Sequence, residues 1–468
     1  MRLKRPSRRT CILVLAVLVL LGLALPVANL LIASPSSEKL AAASQGDPLF
    51  AEVHDVIQAK CSHCHTDDAG VPFYAVLPGA GSAIRRDVDR GLRYLDLPAA
   101  YVSSTKVLSE PALAKIEYAI DQDSMPPLPY VMMHWNASLS ADEEEAILHW
   151  VRRTRAAHYA DSALSAELKQ SILHPLPRKH AEDAAKVALG KALFFDKRLS
   201  KDNSISCASC HGLDKGGTDQ AAVATGVGDQ KGPINSPTVF NAMYNVKQFW
   251  DGRATDLQDQ AAGPVENPIE MAEKWDNVIE KLKADAAFKA TFETSYPAGL
   301  SKKTVTAAIA AFERTLITPN CRFDKFLRGE TGALSAEEQA GYALFKDNGC
   351  ATCHCGKALG GQSFELMGRE KDYFAQRGKL IKEDNGLFNV TKREADRYKF
   401  KVPTLRNIAL TFPYFHDATA KDLATAVKTI ADVQNGLELS ADDTAKIVAF
   451  LKTLTGEYEG KPLASAKN

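Results

Sequence analysis

Three copies of one cysteine–histidine motif are the part of this sequence most suited to chemistry. Each copy reads Cys-x-x-Cys-His, and the copies lie at 61–65, 207–211 and 350–354. Two thiols at this spacing can hold the edge of a haem as thioethers, and the adjacent histidine then reaches the iron as its proximal ligand. Cys-x-x-Cys pairs also form zinc sites, but such a site needs two pairs that meet, and three pairs do not divide in that way. The motifs therefore predict three covalently bound haem c groups. Attachment is assigned to Cys61, Cys64, Cys207, Cys210, Cys350 and Cys353, and proximal ligation to His65, His211 and His354.

The overall composition excludes several classes of protein. The 468 residues are 45% hydrophobic and 24% charged, which is typical of globular chains. The 57 basic side chains equal the 57 acidic ones, so no basic field favours a nucleic acid as partner. Nine cysteines are too few for a disulfide scaffold of this length. The length predicts about three domains.

The N-terminus, residues 1–33, is typical of a membrane anchor. Basic residues precede an apolar run from Cys11 to Ala33, which only Pro26 and Asn29 interrupt. The run is long enough to span a bilayer, and the basic flank favours the cytoplasmic side. A cleaved signal peptide is the alternative. We therefore expect a single transmembrane helix in a bacterial inner membrane, with the haem-carrying remainder of the chain in the periplasm.

The rest of the chain divides around the three motifs. Residues 34–50 are small and polar and are predicted to be a tether, and residues 51–160 hold the first motif as a mono-haem domain. The segment 161–180 contains prolines and is predicted to be a linker. The second motif lies in a domain at 181–330 and the third in a domain at 331–468.

Helix signals recur close to these motifs. Capping boxes begin at Ser140 and Ser335. An apolar periodicity of helical spacing follows Ser140, and the similar stretch Ser440-Ala-Asp-Asp443 leads into another apolar-faced helix. A helix, a haem loop and a terminal helix are typical of small cytochromes c, and strand signals are sparse. The predicted fold class is mainly α, with three cytochrome c-like haem domains behind an N-terminal transmembrane helix.

The stretch from Val187 to Gly456 resembles the bacterial di-haem cytochrome c peroxidases. The resemblance is carried by LGKALFFDKRLSKDNSISCASCHGLDKGG, GPINSPTVFNAMYNVKQFWDGRATDLQDQAAGPVENPIEM and VPTLRNIALTFPYFHD. The additional first haem domain, with SMPP at 124–127, resembles the tri-haem, membrane-anchored branch that includes quinol peroxidases. The resemblance implies reduction of hydrogen peroxide to water, with electrons from membrane quinol or from a periplasmic cytochrome c.

The resemblance also implies roles for single residues. The haem held by His211 corresponds to the peroxidatic haem, and the acid–base residue of the family corresponds to Glu270. A carboxylate over the iron can take a proton from one peroxide oxygen and return it to the other. The family's distal glutamine corresponds to Gln260, which can position the peroxide. Trp250 occupies the family position between the two haems and is expected to couple them.

Two positions depart from the family pattern. Some relatives close the peroxidatic site with a histidine that is displaced on reduction, and Val227 stands at that position here. We therefore expect an open site that needs no reductive activation. The third haem is the electron-transferring one, and Ile430 stands where relatives have its methionine ligand. Met367, Lys428 or a five-coordinate iron are the alternatives that remain.

Two further ligand sets are expected, the first from the family resemblance and the second from the residues around Met125. A calcium ion bridges the two domains of relatives, and Asn235, Thr411 and Pro413 correspond to its ligands, the last two through backbone carbonyls. For the first haem, Met125 on its proline-rich loop is the expected sixth ligand. Its rivals are Met132, Met133, His63, His134, His149 and His158.

Other functions and states remain open at this point. Because Ile430 stands where relatives have a methionine ligand, a di-haem oxidase that acts on protein side chains is an alternative function. A multi-haem electron carrier or sensor without turnover is the alternative outside enzymes. Whether the chain is a monomer or a homodimer, and whether Cys321 and Cys355 form a disulfide or two free thiols, is not decided by the sequence.

Overall fold

The computed structural model describes residues 7–31, 36–76 and 79–464. The chain forms two compact units, Met1–Ala160 and Asp161–Asn468. Helices dominate both units, and among the described residues the strands are short antiparallel pairs. The prediction of a mainly helical fold is therefore confirmed.

The first unit is a set of helices around a small apolar core. Trp150 and Val151 from its last helix and Leu113 from a preceding helix are at most 1% exposed. The last helix begins at the predicted capping box, in which Ser140 Oγ accepts from the Glu143 backbone N–H and the Glu143 carboxylate accepts in return. Helices α1–α8 are Arg8–Leu31, Glu38–Ala43, His54–Lys60, Ser62–His65, Ala80–Tyr94, Glu110–Asp121, Leu128–Met133 and Ala141–His158, and strands β1 and β2 are Tyr101–Val102 and Val107–Leu108.

Helix α1 is where the sequence predicted a membrane anchor. Among the described residues, none of the helices has both the length and the apolar character that a membrane span requires. The predicted anchor and the assignment to the inner membrane are therefore wrong. The prediction gave too little weight to Pro26 and Asn29, which are both buried. Asn29 donates from Nδ2 to the Met133 carbonyl at 2.7 Å, so the end of α1 packs on α7. The predicted basic flank up to residue 6, residues 32–33 at the end of the predicted anchor and residues 34–35 at the start of the tether lie outside the described residues.

The second unit contains two pairs of closely packed helices. In the first pair, α9 meets α14 at Gly190, where an added Cβ would lie 1.9 Å from the Ala308 carbonyl oxygen. In the second, α16 meets α20 at Gly341, where a Cβ would lie 1.9 Å from the Lys446 carbonyl oxygen. Glycine is therefore required for both close approaches. Helices α9–α20 are Ala184–Phe194, Cys207–Cys210, Leu257–Glu266, Trp275–Lys283, Ala286–Ser295, Lys302–Arg314, Arg322–Leu327, Ala336–Asp347, Tyr373–Arg377, Phe388–Thr391, Leu423–Asn435 and Ala441–Lys452.

Each helix pair positions one haem motif. Phe194 of α9 and Phe312 of α14 belong to an apolar cluster that Cys207 packs against. Phe345 of α16 and Phe450 of α20 belong to a second cluster, which Cys350 packs against. The capping box predicted at Ser335 begins α16, and Ser440 is the N-cap of α20, where its side chain accepts from the Asp443 backbone N–H. Strands β3 (Phe364–Leu366) and β4 (Lys399–Lys401) form one antiparallel pair, and β5 (Glu457–Tyr458) and β6 (Lys461–Pro462) form another.

The segment 161–180, expected to be a linker, packs into the second unit. Leu173 and Leu176 are fully buried. Arg406, itself fully buried, donates from Nη2 to the His174 carbonyl at 2.8 Å. Prolines stop this segment from forming a helix, but its leucines still join the core.

Candidate haem centres and peroxide site

The first motif lines a cavity of about 740 Å³ together with Met125. His65 donates from Nδ1 to the Leu95 carbonyl at 2.8 Å, which fixes the ring and leaves Nε2 as the ligating nitrogen. Burial lowers the pKa of His65, so its neutral, ligating form is favoured. Cys61 and Cys64 line the same cavity, so the donors and the apolar walls fit a covalently bound haem.

The sequence-predicted rivals of Met125 do not line this cavity. Met132 is 64% exposed, and His149 and His158 are exposed on α8. His63 and His134 bond to neighbouring polar groups instead.

A chain of histidine and tyrosine side chains beside this cavity was missed by the sequence reasoning. His63 Nδ1 lies 2.6 Å from the Tyr130 hydroxyl, and the Tyr74 hydroxyl lies 2.9 Å from His134 Nε2. The Tyr130 and His134 rings stack at 4.0 Å. Burial lowers the pKa of His63 to about 4, so its imidazole is neutral at neutral pH. Tyr74, His63 and the Tyr130–His134 pair come from three separate segments, so only the tertiary structure shows that they form one network.

The second motif forms helix α10, and His211, which directly follows the helix, is half-buried. His211 Nδ1 lies 3.4 Å from the Gly217 carbonyl oxygen, and burial lowers the histidine pKa. Burial raises the pKa of the Cys210 thiol to about 11, and the carboxylates of Asp219 and Glu270 add to this rise. The charge of Glu270 is therefore near enough to the motif to act on this thiol.

Glu270 is held by its immediate neighbours. Asn267 donates from Nδ2 to Glu270 Oε1 at 2.6 Å. Burial raises the Glu270 pKa, while the Asn267 hydrogen bond and the charge of Arg253 act in the opposite direction. The net result is a carboxyl group that gains a proton more readily than an exposed glutamate.

The loop that carries Val227 lies directly against Glu270. The Val227 backbone N–H donates to the Glu270 carbonyl at 2.8 Å. At Gly226 an added Cβ would lie 2.2 Å from the Ile269 carbonyl oxygen, so the loop requires glycine for this contact. The residue that replaces the family's closing histidine is therefore next to the candidate acid–base residue.

Gln260 and Trp250 occupy different surroundings. Gln260 is half-buried on α11, the helix that leads into the turn before Glu270. Trp250 lines the cavity of the third motif, and its indole N–H donates to the Asn235 carbonyl at 2.9 Å. Its ring lies 6.3 Å from the ring of His416.

The third motif opens on a cavity of about 1920 Å³. His354 Nδ1 lies 3.1 Å from the Leu359 carbonyl oxygen, which leaves Nε2 as the ligating nitrogen. Burial lowers the His354 pKa to about 4. Cys350, Cys353 and Ile430 line the same cavity, which also fits a covalently bound haem.

The three residues expected to bind calcium line this same cavity. Asn235, Thr411 and Pro413 come together there from distant parts of the sequence. Asn235 donates from Nδ2 to the Ala221 carbonyl at 2.8 Å, which orients its amide. Amide and carbonyl oxygens are ligands that suit calcium.

Lys401 is a second feature that the sequence reasoning missed. It lies on β4, is 6% exposed and lines the third cavity. Burial lowers its pKa to about 8. Cys321 and Cys355, whose pairing the sequence left open, are both buried and are not joined by a disulfide.

Comparison with known proteins gives a consistent assignment to haem proteins. The families described as "Haem-binding domain", "Di-haem cytochrome c peroxidase" and "Cytochrome c" match residues 25–153, 184–332 and 338–455. The chain is 48% identical to cytochrome c peroxidase Ccp of Escherichia coli K12 over 401 residues, which are 85% of this chain and 86% of that protein. It is 49% identical to cytochrome c551 peroxidase of Nitrosomonas europaea over 281 residues, which are 59% of this chain and 81% of that protein. Among solved structures it is similar to a MauG-like protein associated with microbial copper homeostasis, with 29% identity, a TM-score of 0.54 and coverage of 63% of this chain and 96% of that one.

Proposed function

Because the chain belongs to the di-haem cytochrome c peroxidase family and is a peroxidase-type oxidoreductase, we propose that Glu270 and Gln260 act on hydrogen peroxide at the His211 haem. The overall reaction consumes one peroxide, two electrons and two protons and yields two waters. When bound, the haem supplies the iron and the reducing electrons for cleavage of the O–O bond. The proposed setting is the periplasm.

The protein's own contribution is the movement of a proton by Glu270. The Asn267 hydrogen bond occupies Oε1, so Oε2 is the oxygen that accepts the first peroxide proton and returns it to the departing oxygen. Burial brings the carboxyl pKa toward the working pH, which is what efficient general acid–base catalysis needs. Gln260 orients the peroxide without competing for its proton. The observation that carries this proposal is the half-buried Glu270, which accepts a hydrogen bond from Asn267 and whose charge acts on the Cys210 thiol.

The peroxide site is proposed to be open in the resting enzyme. Val227 cannot ligate iron, and residues 212–235 contain no histidine. The Val227 loop is fixed to Glu270 through its backbone hydrogen bond. Oxidised protein is therefore expected to react with peroxide without prior reduction.

Three haems per chain are proposed, with Met125 as the sixth ligand of the first. Support comes from the cavities at the first and third motifs and from the histidine orientation in each of them. Met125 lines the first cavity together with His65. Calcium is proposed at Asn235, Thr411 and Pro413, and we expect a chelator to lower activity until calcium is restored.

A quinol is the proposed donor to the first unit, with a reduced cytochrome c as the rival. Oxidation of a quinol releases two electrons and two protons, so its site needs proton acceptors beside the electron acceptor. The His63–Tyr130 and Tyr74–His134 hydrogen bonds supply such groups next to the first cavity. Apolar side chains near this network are exposed and can receive a quinol ring: Phe73, Val76, Leu128, Met132 and Trp135.

The test is peroxide consumption by purified holoprotein with each donor supplied alone. We expect one peroxide to disappear for each two electrons delivered. His134→Gln is expected to slow turnover with a menaquinol analogue and to leave turnover with reduced cytochrome c unchanged. Equal loss with both donors would overturn the quinol assignment while leaving the peroxidase intact. Failure of both donors with wild-type protein would instead favour a carrier or sensor.

A further inference from the structure

We propose that Met367 is the sixth ligand of the haem held by His354. The inference rests on the proposed third haem and assigns the residue that replaces the missing methionine at position 430. Methionine ligation raises a haem potential, which suits a haem that passes electrons onward.

Met367 lies in the cavity of the third motif, whereas Lys428 is not among its lining residues. Of the described residues that line this cavity, Met367 is the single methionine. The other methionines of the second unit lie elsewhere, Met271 in the core and Met243 against the Leu257 cluster.

Hydrogen bonds hold Met367 beside the helix where relatives carry their ligand. The backbone N–H groups of Gly368 and Arg369 both donate to Gln434 Oε1, at 2.8 and 2.9 Å. Gln434 follows Ile430 by one helical turn on α19, so the two share a face, and both line the cavity. The segment that carries Met367 is therefore fixed next to the position that lacks a donor.

The same end of α19 is also tied to the haem motif. Asn435 donates from Nδ2 to the carbonyl of Asn348, two residues before Cys350, at 2.8 Å. Arg369 donates from Nη2 to Asn435 Oδ1 at 2.8 Å. One hydrogen-bonded path thus connects the methionine segment, the helix and the motif loop, which is how a protein fixes a ligand relative to a cofactor.

The remaining donors in the cavity are less suited to iron. His416 Nε2 bonds to Asp384 Oδ1 at 2.8 Å, and its ring stacks on Phe400 at 4.4 Å. The Tyr414 hydroxyl donates to the Ile408 carbonyl at 3.1 Å. Lys401 is the competitor that the test must separate, because it is buried on β4 in the same cavity.

The experiment uses oxidised holoprotein and the near-infrared charge-transfer band that is typical of methionine-ligated ferric haem. The Met125→Leu background removes the signal of the first haem, so any remaining band belongs to the third. We expect Met367→Leu in that background to abolish the band and to lower the reduction potential of one haem. Met243→Leu is the matched control and should leave both unchanged.

Two further variants keep the result decisive. Met367→His should give the low-spin EPR signature of a bis-histidine haem, because the new imidazole takes the same place. Haem content per chain, measured for each variant, separates loss of a ligand from loss of the haem itself. An unchanged band in Met367→Leu with full haem content would overturn the assignment, and a spectral change in Lys401→Gln would give the ligand role to the lysine.

Discussion

The side-chain amide of Asn267 donates a hydrogen bond of 2.6 Å to the Glu270 carboxylate, three residues along the chain. The bond favours the charged carboxylate, while burial favours the protonated acid, and burial has the larger effect on the pKa. Asn267 therefore adjusts the pH range in which Glu270 can accept the peroxide proton.

Asn267→Ala is predicted to move the acid limb of the pH–rate profile upward. Activity requires the ionised Glu270, so the rate falls as the pH drops through its pKa, which lies above the ordinary 4.5. Loss of a hydrogen bond to a charged group corresponds to a shift of about one pH unit. The profile of kcat/KM for peroxide between acid and neutral pH measures this shift.

Asn277→Ala is the matched control, because Asn277 donates to the Glu273 carboxylate at 2.9 Å in the same way. It should leave the acid limb in place. Equal shifts in both variants, or none in Asn267→Ala, would contradict the assigned role of Glu270.

Val227→His is predicted to close the peroxide site. A histidine in the loop bonded to Glu270 would supply the ligand that this chain lacks. The oxidised variant should show an additional low-spin haem by EPR and a lag in turnover that prior reduction removes. Val246→His, at a position that is 47% exposed, should show neither effect. A lag already present in wild-type protein would contradict the open site.

Glu313→Gln is predicted to flatten the pH dependence of stability. Glu313 is fully enclosed, its Oε2 has no hydrogen-bond partner among the described residues, and burial raises its pKa to about 8. Because the pKa of Glu313 is higher in the folded than in the unfolded chain, the group contributes fully to the free energy of unfolding below pH 4.5. This contribution is lost as the pH rises from 4.5 to about 8. The loss is about 1.4 kcal/mol per pH unit in that interval.

Denaturant unfolding of wild-type and variant holoprotein between pH 5 and 8 measures this difference. The exposed Glu280→Gln serves as the control. An identical pH dependence in wild type and Glu313→Gln would show that the buried carboxyl does not titrate as described.

Local signals in the sequence predicted local structure well. The helices predicted after Ser140, Ser335 and Ser440 begin directly after these serines, because capping residues and a helical periodicity depend on neighbours in sequence. The motif cysteines and histidines likewise line the cavities at the first and third motifs, since their spacing alone brings them together.

Features that depend on tertiary contacts were predicted less well. The expected anchor was wrong because apolar letters did not reveal that Asn29 bonds to the Met133 carbonyl. The burial of Leu173 in a proline-rich segment and of Lys401 on β4 could not be predicted for the same reason. Whether such a residue is buried depends on the segments that pack against it, and those segments are distant in the sequence.

The most direct test of the central claim compares Glu270→Gln with Glu266→Gln in steady-state peroxide reduction. Glu266 is exposed on the same segment and pairs with Lys302, so its variant removes a carboxylate of no proposed role. Loss of a general acid–base residue is expected to lower kcat about 10²- to 10⁴-fold. The account predicts this loss in Glu270→Gln, with haem spectra and haem content unchanged, and near wild-type turnover in Glu266→Gln. Near wild-type turnover in Glu270→Gln would contradict it.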